Sequence, residues 1–513
     1  MRSVLIALIF VLVRHHVSKV SLGPDEPYEI IPSGSDSHLV DLSAFPFPWR
    51  ENLPHLGPSY AGLESIRKAW DYEASLFYWF FPCQAKNDAP LLVWLQGGPL
   101  ASSMIGLFYE LGPLRVNFRS KDIKLTHDRQ NLTIKDFQLS YNPYSWSKLF
   151  NIVFVDQPVG TGYSFVKSTN NKSNSSFNEF DHARKLGWPI DKGSLSSYSI
   201  TSDGSNDYKN GYVTNQHGVS KDFIIFLKKF YRRFPSMRDV GLTISSESYG
   251  GKYVPSISNE ILSYNLAQKD PSERIPLKSF TIGNQWTDPF SQMATNPSQL
   301  LFFGLISPQQ LEIANKMVKR SQEMIDQERW LDALDIRMNM FDLLSNFTGD
   351  IDWFDVRLKN KHLNQSPMNQ FLRLKEVKKL LHVPTDQKFG KDQGMMDIFN
   401  GDIMKSTKHL FPRLFKNYKV LLYQGNMDLR DGVVSNDAWL SHLNWTGLDG
   451  FNKSPRKIWI SANTGEIHGY VNQFENLTRV VLLGCGHRVP ADDGCPESSL
   501  EMIKLHIEQN SFI

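Results

Sequence analysis

Ser248 stands in Ser-Glu-Ser-Tyr-Gly-Gly (246–251), at the end of an apolar, β-branched run that begins at Val240. A serine on a sharp strand-to-helix turn, flanked by residues small enough to let the backbone pass closely, can present its hydroxyl as a nucleophile. Gly250 meets that requirement on one side; on the other, Ser246 stands where glycine is usual, the mildest of substitutions, so the turn is expected to survive with some strain. A hydroxyl becomes a useful nucleophile only when a base takes its proton and an acid orients that base. Two further runs end in such groups. Val-Leu-Leu-Tyr-Gln-Gly-Asn-Met-Asp (420–428) leaves a strand-like stretch through a glycine-containing loop to an acid, and Val-Val-Leu-Leu-Gly-Cys-Gly-His (480–487) does the same with a histidine. Ser248, Asp428 and His487 therefore follow in the order serine, acid, histidine, each just past a strand, and the chemistry open to them is acyl transfer through a covalent ester. Asp431 is a second candidate acid, and Cys485 a second candidate nucleophile beside His487. The other histidines lack metal-ligand spacing and no His-Glu-x-x-His occurs, so neither a metal nor another cofactor is expected.

The elements that must position these groups are short apolar runs at 91–95, 151–155, 240–245, 280–283, 420–423 and 480–483, which read as buried strands of a mostly parallel sheet. Between two of them, residues 220–234 place Phe223, Phe226, Leu227, Phe230 and Phe234 at helical spacing, with Lys228, Lys229, Arg232 and Arg233 between them, which predicts an amphipathic helix lying on the sheet. Alternating strands and helices give the α/β class. A constellation spread over so much chain needs one fold, so the 513 residues are read as a single catalytic domain rather than three. Residues 167–215, rich in Ser, Asn, Asp and Gly, read as a long polar surface loop. From 308 to about 344 the pattern is helical and charged; extended loosely to about 288–365, it reads as a helical cap insertion, because core-like sequence resumes at 371–377.

A hydrophobic content of 41% and charged content of 21% are ordinary for a globular protein, and a net charge of +3 over this length argues against nucleic acid or an anionic membrane as partner. The apolar run 4–13 is about half of what a bilayer span needs, so it reads as a signal peptide, cleaved after Gly23, rather than an anchor. Asn-x-Ser/Thr sequons at Asn131, Asn171, Asn174, Asn346, Asn444 and Asn476 fit a secretory route; those at Asn364 and Asn452 are discounted because a proline follows. With only Cys83, Cys485 and Cys495, at most one disulfide can form and one thiol stays free or pairs with another molecule. Cys485 is taken as a small buried thiol near His487, with a Cys485–Cys495 bridge as the alternative.

Ser-Glu-Ser-Tyr-Gly-Gly-Lys-Tyr-Val-Pro (246–255) resembles the nucleophile motif of the serine carboxypeptidases, and Trp-Leu-Gln-Gly-Gly-Pro-Leu-Ala-Ser-Ser (94–103) resembles that family's Trp-Leu-Asn/Gln-Gly-Gly-Pro-Gly-x-Ser-Ser. Asp-Gln-Pro-Val-Gly-Thr-Gly-Tyr-Ser (156–164), Gly-Asn-Gln-Trp-Thr-Asp-Pro (283–289) and Gly-Cys-Gly-His (484–487) are similar to further family segments in the expected order. Gln96 and Phe-Tyr-Glu-Leu-Gly-Pro (108–113) resemble the vitellogenic-like and retinoid-inducible branch. The resemblance implies an α/β-hydrolase fold, a mostly parallel central sheet flanked by helices and capped by a helical insertion. It implies a serine-type carboxypeptidase that releases C-terminal residues from peptides through an acyl-enzyme, secreted or endolysosomal, as monomer or homodimer. By the same resemblance Ser248 is the nucleophile, His487 the base and then the acid, and Asp428 rather than Asp431 its orienting partner. The amides of Gly98 and Tyr249 form the oxyanion hole, and Trp94, Gln96, Gly97, Glu110 and Glu247 hold the substrate's terminal carboxylate.

That carboxylate site offers two glutamates instead of an arginine. Two close carboxyls cannot both ionise cheaply, so one is expected to keep its proton and donate it to the substrate, favouring acidic pH. Leu100 departs from the motif, in which the position after Pro99 is glycine, and a leucine is expected to exclude positive φ there. Leu100 and Ser246 keep two alternatives open: a weakened or inactive homologue that binds peptides or proteins, and a carboxypeptidase-like acyltransferase.

Overall fold

The computed structural model describes residues 20–21, 27–28, 37–45, 56–69, 72–83, 85–86, 88–120, 132–168, 207–359, 363–509 and 512. All of the expected signal peptide but residues 20–21 and most of the polar loop 167–215 lie outside them, as do Asn131, Asn171 and Asn174.

The chain enters the sheet through two long strands, β1 (Ser59–Lys68) and β2 (Tyr72–Phe81), followed by β3 (Leu91–Leu95), β4 (Asn151–Asp156), β5 (Leu242–Glu247), β6 (Leu277–Gly283) and β7 (Lys419–Gly425), and it ends in β8 (Lys457–Ile460), β9 (Ile467–Phe474) and β10 (Leu477–Leu482). In space the order is β8-β9-β10-β7-β6-β5-β3-β4-β2-β1, and Leu39–Val40 and Phe165–Ser168 complete twelve strands. The six strands from β10 to β4 are parallel, and the outer ones antiparallel. The six apolar runs account for the parallel core. Strands covered on both faces carry continuous hydrophobic sequence, and β3 and β4 are buried at every position. The strand expected at 240–245 starts two residues later and runs on to Glu247. β1, β2, β8 and β9 were not foreseen; β2 carries a nearly unbroken aromatic run whose period gives no cue to strand or helix.

Register sets the site. Ser246 pairs with Leu95, Glu247 with Gly283, Gly283 with Tyr423, and Gly425 with Leu482, so β3, β5, β6, β7 and β10 end along one rim. Right behind it, α1 (Gln216–Arg233) packs its phenylalanines on β2. Phe230 meets Tyr78 and Phe80 edge-on at 5.9 and 5.3 Å, and each such buried ring contributes about 1.5–3 kcal/mol. Asn215 caps the helix through the Gly218 amide at 3.0 Å, and Arg233 at its other end pairs with Glu64 of β1 at 2.7 Å. α2 (Gly250–Ala267) starts directly from the turn at Ser248 and is buried along its first three turns.

After β6 the chain leaves the sheet for short helical turns at Pro289–Met293 and Asn296–Phe302, then for two long helices, α3 (Pro308–Asp326) and α4 (Trp330–Thr348), which pack on each other. Ser307 and Gln310 close a capping box on α3, and Gly349, at φ 69°, ends α4 in the left-handed conformation. Ala333, Met340 and Leu344 of α4 join the same buried cluster as the sheet's α1 face, so these helices are anchored to the body rather than standing apart.

Candidate active site

At the end of β5 the backbone turns abruptly. Ser248 has φ 56°, its amide donates to Gly283 O at 2.9 Å, and its own carbonyl accepts from Gly251 at 2.9 Å and Trp286 at 2.7 Å. A left-handed serine held by three backbone bonds is the strained elbow that the sequence suggests. Ser246 fits without breaking it: its hydroxyl donates to Leu95 O on the neighbouring strand.

His487 and Asp428 arrive from β10 and β7. His487 Nδ1 lies 2.7 Å from Asp428 Oδ2, and the same carboxylate accepts from Asn284 Nδ2 at 2.7 Å, Arg430 N at 2.7 Å and Asp431 N at 3.2 Å. Four donors leave that carboxylate no freedom to rotate. Asp431 makes no bond to the imidazole; it lies buried nearby with Oδ1 unpartnered, and burial pushes its carboxyl up to about 6, against the pull of His487 and the arginines. His487 Nε2 is buried without a protein partner, and no hydrogen bond joins it to the Ser248 hydroxyl. Such bonds are commonly open in ligand-free sites and close when substrate arrives. Phe354 packs on the ring at 4.4 Å between centroids and its carbonyl accepts the His487 amide at 2.7 Å, so the imidazole is held in place by ring and backbone together.

The loop after β3 brings Gly98 to the serine, beside Tyr249, which follows Ser248 on the turn after β5. Gly97 has no room for a side chain, since a Cβ there would lie 2.5 Å from Glu247 O and 2.9 Å from Ser248 Cβ. Gly98 adopts φ 113°, open only to glycine. The amides of Gly98 and Tyr249 have no intramolecular acceptor among the described residues. The loop is fixed from behind by Asp156, which accepts from the Ser102 hydroxyl at 2.7 Å, the Ser103 amide at 2.9 Å and the Tyr163 amide at 3.0 Å. Burial pushes the Asp156 carboxyl up to about 7 despite those bonds. Leu100 corrects the expectation drawn from its side chain: it sits at φ 61° and is fully buried. Packing compensates a left-handed conformation that costs about 1–2 kcal/mol.

On the other side of Gly97, Gln96 joins two acids. Its amide nitrogen donates to Glu247 Oε1 at 2.7 Å and Glu110 Oε1 at 3.1 Å, while its oxygen accepts from Trp94 Nε1 at 2.9 Å and Gly106 N at 3.0 Å. Those two donors to the oxygen fix which way the amide faces. Glu110, on a wide helical turn Gly106–Glu110, and Glu247 are both buried and meet at the Gln96 amide, each with its Oε2 lacking a hydrogen-bond partner. Burial raises both carboxyls, Glu247 well above its ordinary range because the Glu110 charge adds to it; Arg488 pulls both down. The site therefore does include an arginine in electrostatic range, which the sequence reading missed because Arg488 lies outside the compared motifs. Asn284, within a quoted segment but given no role, and Phe354 were missed too; only register and the path of residues 352–357 past the rim reveal them.

Cys485 is not a thiol. It is bonded to Cys495, with Cα atoms 5.9 Å apart, because the loop after His487 turns back on itself; Cys83 is the buried free thiol. Asn346, Asn444 and Asn476 are exposed. In front of Ser248 opens a cleft of about 360 Å³, floored by Gly98, Pro99 and Tyr249 and roofed by α4.

Residues 55–509 match the serine carboxypeptidase family. The chain belongs to that family. Among its relatives, serine carboxypeptidase-like 50 of Arabidopsis thaliana is 32% identical over 82% of this chain and 81% of its own length, and the venom serine carboxypeptidase of Apis mellifera is 30% identical over 88% and 85%. The probable serine carboxypeptidase CPVL of Homo sapiens is 28% identical over 88% and 83%, consistent with the vitellogenic-like branch. The crystal structure of KEX1(delta)p, a prohormone-processing carboxypeptidase of Saccharomyces cerevisiae, superposes with a TM-score of 0.72 at 24% identity, covering 93% of this chain and 96% of that one. This likeness shows the α/β-hydrolase fold. As a serine carboxypeptidase, the protein is a hydrolase of peptides. Among its described residues no helix is long and apolar enough to cross a membrane.

Proposed function

We propose that Ser248, His487 and Asp428 carry out peptide hydrolysis at a free C-terminus through an acyl-enzyme. His487 Nε2 takes the Ser248 proton as Oγ bonds to the scissile carbonyl carbon, and the oxyanion accepts from the Gly98 and Tyr249 amides. The imidazolium then protonates the departing amine as the C–N bond breaks, and water, deprotonated by the same imidazole, releases the acyl group. Gln96, Trp94 and Gly97 hold Glu110 and Glu247 so that one shared proton serves the substrate's carboxylate, which makes acidic pH the favoured condition. The observation that carries this reading is the pairing of His487 Nδ1 with Asp428 Oδ2 at 2.7 Å while Nε2 stays free at the strand rim that bears Ser248.

A signal peptide ending at Gly23, exposed sequons at Asn346, Asn444 and Asn476, and a relative named for venom support a secreted or endolysosomal glycoprotein. Residues 24–513 then form one catalytic domain, with about 288–365 as its cap and 167–215 as a surface loop; it works as a monomer or homodimer. Incubation with a peptide library at about pH 5, near the glutamate range, is expected to yield C-terminal ladders by mass spectrometry with the wild type and none with Ser248→Ala. Equal ladders from both would refute the assignment, and products joined to an added acceptor would identify an acyltransferase.

A further inference from the structure

The cleft in front of Ser248 is lined by three cations, Arg337, Arg430 and Lys391, and among the described residues by one acid, Asp431. Arg337, on α4, is 5% exposed, yet its Nε has no hydrogen-bond partner and no carboxylate among the described residues forms an ion pair with its guanidinium. Rings hold it, 4.3 Å from the Trp286 centroid and 4.8 Å from Phe341, and Asp431 of the same cleft attracts it without forming an ion pair. Arg430 is fixed the same way, 5.0 Å from Phe341 and 5.4 Å from Phe354. Lys391 is exposed at the mouth. A buried guanidinium without a partner is costly, and side chains pinned by aromatic faces keep their forks pre-set for a planar anion. Burial depresses the Arg337 guanidinium to about 9, with the Arg430 charge adding to the effect and the Asp431 charge opposing it, so it remains a cation at any pH relevant to an acid-active enzyme.

None of Glu110, Glu247, Gln96 and Gly97 lines this cleft, whereas Gly98, Tyr249 and Ser248 do. On the proposed carboxypeptidase reading the released residue binds at the glutamates, which places the cleft beside the residue that supplies the scissile carbonyl. We propose that this cleft is a subsite for an acidic side chain, aspartate or glutamate, on the acyl-side residue, and that Arg337 is its specificity-determining residue, with Arg430 and Lys391 in support. The inference rests on the carboxypeptidase reading of Ser248.

The test uses the full-length protein at about pH 5.5, where a free glutamate side chain is mostly ionised, and four N-blocked dipeptides: Glu-Leu, its isostere Gln-Leu, Leu-Leu and Leu-Glu. The wild type is expected to prefer Glu-Leu over Gln-Leu by at least about tenfold in kcat/KM. In Arg337→Gln that ratio should collapse to near one, and in the exposed Lys391→Gln it should fall part of the way. A merely structural arginine would lower all four substrates together and leave the ratio unchanged. No preference for Glu-Leu, or a preference for Leu-Glu instead, would overturn the proposal. Failure to hydrolyse any dipeptide would count against the catalytic reading alone, because the proposal has a second readout. Titration of the wild type with N-blocked glutamate and N-blocked glutamine, the acyl-side products, needs no turnover, and equal affinities would overturn the subsite.

Discussion

Glu247→Gln separates the carboxylate site from the rest of the catalytic machinery. In the wild type, Glu247 and Glu110 share the Gln96 amide while buried, and burial and mutual repulsion hold Glu247 in its protonated form well above the ordinary range. On the proposed reading, the competent form for binding a free carboxylate is the one that keeps this proton, so binding should be present below the folded-state pKa and lost as pH rises through it. Two unit charges about 4 Å apart repel by about 4 kcal/mol at an effective dielectric of about 20, close to three decades in affinity. Arg488 offsets part of this, so the alkaline loss in kcat/KM is expected at about 100- to 1,000-fold. Glutamine donates without a proton to lose. Glu247→Gln should therefore cost about tenfold at acidic pH, where a neutral donor replaces a stronger one, and should flatten the alkaline fall. The assay is kcat/KM against pH for one peptide as free acid and as C-terminal amide. The amide lacks the carboxylate, so its profile reports only the imidazole and should be the same for both enzymes. Parallel alkaline slopes for wild type and variant on the free acid, or an equal fall on the amide, would refute the reasoning.

Asn284→Asp places a second carboxylate where Asn284 Nδ2 now donates to Asp428 Oδ2 and to Gly486 O, so kcat should fall by about 100-fold or more with little change in KM, whereas a KM effect would mean that Asn284 acts on substrate binding. Cys495→Ala opens a loop closed over a separation of 10 residues, which the chain-entropy account puts at about 2.5–3 kcal/mol; the melting midpoint should drop and activity fall with the loosened His487 loop, and an unchanged midpoint would contradict this. Stability should also decline from pH 5 to pH 7.5. Asp156, raised to about 7 chiefly by burial, and Asp431, raised to about 6, bind protons in the folded chain that the unfolded chain has released near pH 4, as do Glu110 and Glu247. That contribution is complete below the unfolded pKa and lost as pH rises through the folded one. Half-buried His38 and buried His506, lowered to about 4 and about 3, act oppositely below pH 6.5 but are outnumbered. A thermal midpoint that rises over this range would disprove the balance.

The order serine, acid, histidine, the small residues of the elbow and the apolar runs that become β3 to β7 and β10 were legible in the sequence, because strand burial and tight turns leave local marks in residue type. Gly97 and Gly98 are such marks: one has no space for a Cβ and the other a φ of 113°. Residues whose importance comes only from what the register places beside them left no mark. Asn284 anchors Asp428 because Gly283 pairs with Tyr423, and Arg488 reaches the glutamate pair from a different strand's loop. The same holds for Leu100, whose positive φ contradicts its local preference and is tolerated only inside a packed core, and for Cys485 and Cys495, whose pairing depends on a loop turning back. Arg337 is the extreme case. In sequence it is one charge on a polar helix, and only the packing of α4 over the rim turns it into a buried cation facing the serine. Local sequence specifies conformations that few residue types can adopt, whereas the electrostatics of a site is a sum over distant neighbours that only the folded chain brings together.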